Sequence, residues 1–303
     1  MKTDLDHLPE TKKRELARIV EILFGEFEAA IAGGTMPSKR KGAILKIILF
    51  GSYARGDWVD DPIGGYISDY DLLVVVNDDK LTDITDYWSK AEDHLLREYG
   101  ISHKLTAPAS FIVHSLNDVN QQLRLGRYFF TDIVRDGIVL YEMEGHTFAH
   151  PETLAPAEAL TEAQGYFDSW FQSVGGFYRG YQYALKDGDR NKAAFDLHQA
   201  AERLYHCVLL VVTLYSPKSH KLNFLRSQAE QLDASLIEAW PRRTKFEQRC
   251  FELLRRAYVD ARYSPHYKIS AEELGWLGER VTVLQELVKA VCEDRLLMLR
   301  IES

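Results

Sequence analysis

Two short apolar runs, Ile47-Ile48-Leu49-Phe50 and Leu72-Leu73-Val74-Val75-Val76, bracket a segment in which glycine, serine and aspartate fall in a telling order. Each run is too short for a lone helix and rich in β-branched residues, so each reads as a buried strand. The first passes at once into Gly51-Ser52 and then Tyr53-Ala54-Arg55-Gly56, a helical turn at most. The second is led in by Asp69-Tyr70-Asp71. Side chains alternate along a strand, so carboxylates two residues apart share a face. Such a pair suits a hard divalent cation whose remaining oxygen ligands come from substrate phosphates. Gly51 lets the backbone approach a phosphate without a Cβ in the way, and the N–H groups of the following turn favour anions. A phosphate grip beside a metal grip describes a nucleotide-phosphate site suited to metal-assisted phosphoryl chemistry.

The ordered set of strand, Gly51-Ser52, Arg55-Gly56, then Asp69-x-Asp71 heading a hydrophobic strand resembles the signature of the polymerase-beta-like nucleotidyltransferases, especially the minimal and antibiotic ones. The resemblance implies that Asp69 and Asp71 hold Mg²⁺ (or Mn²⁺) and that Gly51 and Ser52 grip the phosphates of a nucleoside triphosphate. Arg55 either assists there or makes a surface salt bridge. The implied reaction moves a nucleoside monophosphate, most simply AMP from ATP, to a hydroxyl of a protein, RNA or small molecule and releases pyrophosphate. Many such enzymes carry a third carboxylate on a later strand. The strand Ser110–Leu116 offers no acid before Asp118, so His114 either takes that place or is a half-buried histidine with a local partner. Whether catalysis uses two metals or a base from elsewhere stays open.

The remainder of the first half alternates between helix and strand. Residues 9–32 carry Leu16, Ile19, Val20, Ile22, Leu23 and Phe27 at helical spacing and stop at Gly33-Gly34. A basic loop, Met36–Gly42, precedes the first strand, and a loop, Asp57–Gly65, separates the two motifs. A helix is expected over 81–99, a strand over 110–116, one or two short helices over 123–134 and a strand over 138–141. The fold class is therefore α+β: a small mixed-sheet domain over 1–143, a linker over 144–157 marked by Pro151 and Pro156, and an all-α antiparallel bundle over 158–303. Five helices are expected in the bundle: Ala157–Leu185, Asn191–Tyr215, Leu222–Leu236, Phe246–Tyr263 and Ala271–Leu299.

Within the bundle, the run Phe195-Asp196-Leu197-His198-Gln199-Ala200-Ala201-Glu202-Arg203-Leu204-Tyr205, then Ser219-His220-Lys221-Leu222 and Asp260-Ala261-Arg262-Tyr263, resembles the HEPN domains. Many of these are metal-independent ribonucleases that use an Arg and a His with four to six residues between them. Here Arg262 and His266 have only Tyr263-Ser264-Pro265 between them, which misses that spacing. His198, Glu202 and His206 follow at i, i+4 and share a helix face. Glu202 is either a base that meets the nucleotide across a domain cleft or part of a network inside the bundle. Dimerisation through the bundle is a further implication of the resemblance.

Bulk properties narrow the function class. The net charge is −8, and residues 1–150 contribute −7 of it, with 17 Lys+Arg against 24 Asp+Glu, which argues against broad nucleic-acid binding. No run of eighteen apolar residues is present, no signal peptide is expected from the opening residues, and the three cysteines, Cys207, Cys250 and Cys292, have no CxxC partner. A cytoplasmic protein with free thiols is expected. Three other readings of the same residues are an aminoglycoside-type antibiotic nucleotidyltransferase, a ribonuclease toxin fused to its regulatory transferase, and a nucleotide-sensing module without turnover.

Overall fold

The computed structural model describes residues 1–32, 41–61 and 66–303. The expected stop at Gly33-Gly34, most of the basic loop over 36–42, and residues 62–65 of the intervening loop lie outside them. The chain divides into two compact units, Met1–Thr153 and Leu154–Ser303.

The first unit is built on a mixed four-stranded sheet in the order β5-β4-β1-β6. Its strands are β1 (Ile44–Phe50), β4 (Tyr70–Val76), β5 (Ala109–Ser115) and β6 (Ile138–Glu142). β1 runs antiparallel to both β4 and β6, and β4 runs parallel to β5. β1 and β4 are the two central strands and are buried along their whole length, as near-continuous apolar runs require. A two-stranded hairpin, β2 (Asp60–Asp61) with β3 (Tyr66–Ile67), occupies part of the segment expected to be loop.

One face of the sheet receives α1 (Glu10–Ile31). Leu16, Ile19, Leu23 and Phe27 of that helix join Ile47, Leu49, Leu72 and Val74 in one buried cluster. Fully burying each such side chain contributes about 1.5–3 kcal/mol. The turn after β1 is a short helix, α2 (Gly51–Arg55). The helix expected over 81–99 is broken into a 3₁₀ turn (Asp79–Thr82), a wide turn (Ile84–Trp88) and α3 (Ser89–Gly100). Two aspartates account for the breaks: the Asp78 side chain accepts from the Lys80 N–H, and the Asp83 side chain from the Asp86 N–H. The remaining helices of this unit are α4 (Leu116–Arg124) and α5 (Tyr128–Asp136), and α5 sets Phe129 edge-on to Phe50, with 5.5 Å between ring centroids.

The second unit is helical throughout: α6 (Pro156–Lys186), α7 (Arg190–Thr213), α8 (Leu222–Leu232), α9 (Lys245–Tyr263) and α10 (Ala271–Glu302). α7 packs against all four of the others and is buried almost all round, from Ala193 and Leu197 to Val208 and Val211. The expected third helix ends early, at Leu232, because the Asp233 side chain accepts from the Ser235 N–H and starts a separate 3₁₀ turn, Ala234–Ala239. α6 and α10 approach closely at Gly278, where an added Cβ would come within 2.5 Å of the Tyr181 hydroxyl oxygen. Among the described residues no helix is long and apolar enough to cross a membrane.

Candidate functional site

The two motifs read from the sequence meet at one end of the two central strands. Phe50, the last residue of β1, lies opposite Asp71 in the antiparallel ladder, so the chain leaves β1 beside the point where β4 enters. Gly51 then adopts φ +72°, the left-handed region that a side chain makes costly, and reverses the backbone into α2. α2 is closed by Gly56 at φ +88°, whose N–H donates to the Ser52 carbonyl. Ser52 is 4% exposed, and its hydroxyl oxygen is buried without a hydrogen-bond partner among the described residues. A buried hydroxyl in that state carries a free-energy cost that a ligand's acceptor atom would relieve.

Asp69 and Asp71 flank Tyr70 at the head of β4. Tyr70, Leu72 and Val74 belong to the cluster under α1, so alternation turns Asp69 and Asp71 to the opposite face. Both are buried, Asp71 completely. The neighbour of Asp71 on β5 is Ser110, a hydroxyl in place of a further carboxylate. His114 shares that face but pairs with Val75, about 13 Å farther along the strands at about 3.3 Å per residue. Its Nδ1 lies 2.5 Å from Asp118 Oδ2, so its partner is local and it does not stand beside Asp71. Among the described residues no three His, Cys, Asp or Glu side chains gather as a metal cage. The donor set is a pair of hard carboxylates on one strand face, which fits Mg²⁺ bound through one or two carboxylates with substrate oxygens and water completing the shell.

Arg55 ends α2 and donates to its neighbour Asp57, Nε to Oδ2 at 3.2 Å. A surface salt bridge is one of the two readings left open by the sequence. Nearby on α5, Arg135 bridges Asp132 and Asp136 at 2.7 and 2.6 Å. Burial raises the Asp132 carboxyl above its usual range, whereas the Arg135 hydrogen bond holds Asp136 below it.

The other sequence candidates belong to the helical unit. Glu202 is 5% exposed on α7 and accepts from His220 Nδ1 at 3.1 Å and Gln199 Nε2 at 3.3 Å. His198 Nε2 lies 3.3 Å from the same carboxylate, near enough for attraction but off the line of a hydrogen bond, while its Nδ1 donates to the Leu254 carbonyl. Burial pushes the Glu202 pKa up, but the two histidines together outweigh it and leave the group below its ordinary value. Arg262, at the end of α9, donates Nε to the Tyr258 carbonyl at 2.6 Å and lies over the rings of Phe195, Tyr258 and Tyr263. His220 stacks on the Tyr258 ring at 4.4 Å, nearly parallel, so that ring packs against both Arg262 and His220. His266 lies in the turn beyond, its N–H on the Ser264 hydroxyl. The structure therefore gathers His198, Glu202 and His220 in one network and sets Arg262 on an aromatic platform.

Sequence reasoning missed a buried polar group under the first site. Lys12 and Glu15 sit on the apolar face of α1, only 6% exposed each, and both engage Thr106. The available signal was a Lys and a Glu falling in register with Leu16 and Ile19 on the buried stripe.

Comparison with known proteins agrees with this geometry. A model of the polymerase beta nucleotidyltransferase family matches residues 37–144, and a model of the HEPN domain matches residues 168–291. A relative from Methanocaldococcus jannaschii, named as a candidate protein adenylyltransferase, is 35% identical over 106 residues, which span 35% of this chain and 87% of that protein. With the Gly-Ser turn and the paired aspartates set side by side on a mixed sheet, the chain belongs to the polymerase beta nucleotidyltransferase family, an enzyme that carries a HEPN domain after its nucleotidyltransferase domain.

Proposed function

We propose that the protein transfers AMP from ATP to a hydroxyl of a protein acceptor and releases pyrophosphate. The observation that carries this reading is the Phe50–Asp71 pairing, which brings the Ser52 turn and the aspartate pair to one end of the sheet. Asp69 and Asp71 would hold Mg²⁺, which supplies positive charge to the triphosphate as the pyrophosphate leaves. The Ser52 hydroxyl, buried and without a partner among the described residues, and the N–H groups following Gly51 would take the β- and γ-phosphate oxygens. The acceptor oxygen then attacks the α-phosphorus, the new O–P bond forms, the bond to pyrophosphate breaks, and the hydroxyl proton passes to water. Glu202 is left to the helical unit, where its carboxylate is already engaged. A protein acceptor is favoured by the name of the M. jannaschii relative, a shorter protein of which this chain covers 87%. A homodimer formed through the helical unit fits the exposure of Leu297, Met298 and Ile301 near the end of α10.

The test uses ATP labelled at the α- or the γ-phosphorus, with protein, RNA and small-molecule pools offered separately. The reading expects α-label on protein and γ-label in pyrophosphate. Label on RNA or on a small molecule alone would overturn the choice of acceptor. No transfer to any pool would overturn the activity assigned.

A further inference from the structure

The residues that follow Ser52 and divide the two aspartates meet on the reverse side of the sheet. Tyr53, next to Ser52, stacks on Tyr70, between Asp69 and Asp71, with 4.3 Å between centroids and 28° between planes. Both rings are wholly buried. Trp58 stacks on Tyr53 at 5.5 Å and 11°. Lys12 Nζ lies 5.6 Å from the centre of the Tyr53 ring and 5.7 Å from that of Tyr70. The Tyr70 hydroxyl donates to Glu15 Oε2 at 2.9 Å, and the same carboxylate accepts from the Thr106 N–H at 3.1 Å. Lys12 closes the group by donating to the Thr106 hydroxyl at 2.7 Å. Burial raises both tyrosine pKa values far above the ordinary 10, so both phenols stay neutral.

We propose that Tyr70 and Glu15 are positioning residues for the nucleotidyl-transfer site, locking the aspartate pair to the Ser52 turn through the Tyr53–Tyr70 stack. This rests on the reading of Asp69 and Asp71 as metal ligands. A strand residue cannot rotate without turning its neighbours, because side chains alternate about one backbone. Fixing Tyr70 from behind therefore fixes the direction in which Asp69 and Asp71 leave the front. The stack ties Tyr70 to Tyr53, and one peptide bond ties Tyr53 to Ser52. The phosphate half and the metal half of the site thus share one buried brace. Displacements of about 1 Å at such sites cost roughly a hundredfold in rate, and loss of a supporting hydrogen bond costs about ten- to a hundredfold in metal affinity.

The experiment measures Mn²⁺ binding by electron paramagnetic resonance, with a non-hydrolysable ATP analogue present and the full chain in use. Tyr70→Phe keeps the ring and removes only the bond to Glu15, and Glu15→Leu removes the acceptor of the same bond. Each is expected to weaken Mn²⁺ about tenfold. Trp88→Phe serves as the stability control, since it disturbs the Trp88–Phe27 stack (4.8 Å) in the same buried cluster. It is expected to lower the melting temperature and leave Mn²⁺ affinity alone. If Asp71→Asn abolishes Mn²⁺ binding while Tyr70→Phe and Glu15→Leu bind as the wild type does, the brace is overturned and the metal site stands. If Asp71→Asn itself binds Mn²⁺ normally, the metal site falls and the brace with it. If Trp88→Phe weakens Mn²⁺ as much as Tyr70→Phe does, the effect is general loosening and the positioning role is overturned.

Discussion

Phe50 faces Asp71 across the β1–β4 ladder. That single pairing places Gly51 and Ser52 beside the aspartates and separates the chemistry from the apolar core under α1. It also supplies the sharpest prediction about Ser52. Its hydroxyl is buried and makes no hydrogen bond among the described residues, so Ser52→Ala removes an unsatisfied group and leaves stability unchanged or slightly raised. The KM for ATP should rise about tenfold, the scale of one hydrogen bond to a charged phosphate. Steady-state kinetics together with thermal melting check both halves, and a lower melting temperature with an unchanged KM would contradict the assignment.

Gly51 makes a conformational prediction. At φ +72°, Gly51→Ala should cost roughly 1–2 kcal/mol of stability, the ordinary cost of placing a Cβ in the left-handed region. Denaturant titration measures it. A fully stable Gly51→Ala variant would mean that the turn tolerates a side chain and that the phosphate approach is not glycine's reason for being there.

His114 divides two accounts of the third ligand. It pairs with Val75 and bonds Asp118, some distance along the sheet from Asp71. His114→Gln should therefore leave the transfer rate within about twofold of wild type, as expected for a residue away from the reacting groups. Ser110, the register neighbour of Asp71, is the position to replace if a drop is sought.

The helical unit carries a pH dependence of known sign. Burial holds the His206 pKa below the ordinary 6.5, with Nδ1 2.6 Å from the Ser216 hydroxyl and Nε2 3.2 Å from the Ser219 carbonyl. Below about pH 6.5 the unfolded chain takes up a proton that the fold resists, so this residue's contribution to stability is complete above that pH and falls as the pH drops. The melting temperature should decline between pH 7 and pH 5.5, and His206→Gln should flatten the decline. Equal slopes in the two proteins would contradict the assignment.

The sequence displayed the site more clearly than its surroundings. Strand periodicity and the order Gly51-Ser52, then Asp69-x-Asp71, are local signals, and local signals survive in a bare sequence. What the sequence left hidden is long-range. Glu15 meets Tyr70 and Thr106 across 55 and 91 residues, and only the packing of α1 on the sheet reveals it. The break within the expected helix 81–99 was local yet missed, because the Asp78 and Asp83 caps lie inside an otherwise helical apolar pattern. His198 and Glu202 were legible as one helix face, but His220, which completes their network, comes from the loop before α8.

The most direct measurement is the Mg²⁺-dependent release of pyrophosphate from ATP by the full chain, with a protein extract supplying acceptor hydroxyls. The account predicts release by the wild type and a rate at least about a hundredfold lower in Asp71→Asn, the scale of losing one charge-stabilising element. Equal rates in the two proteins would contradict it.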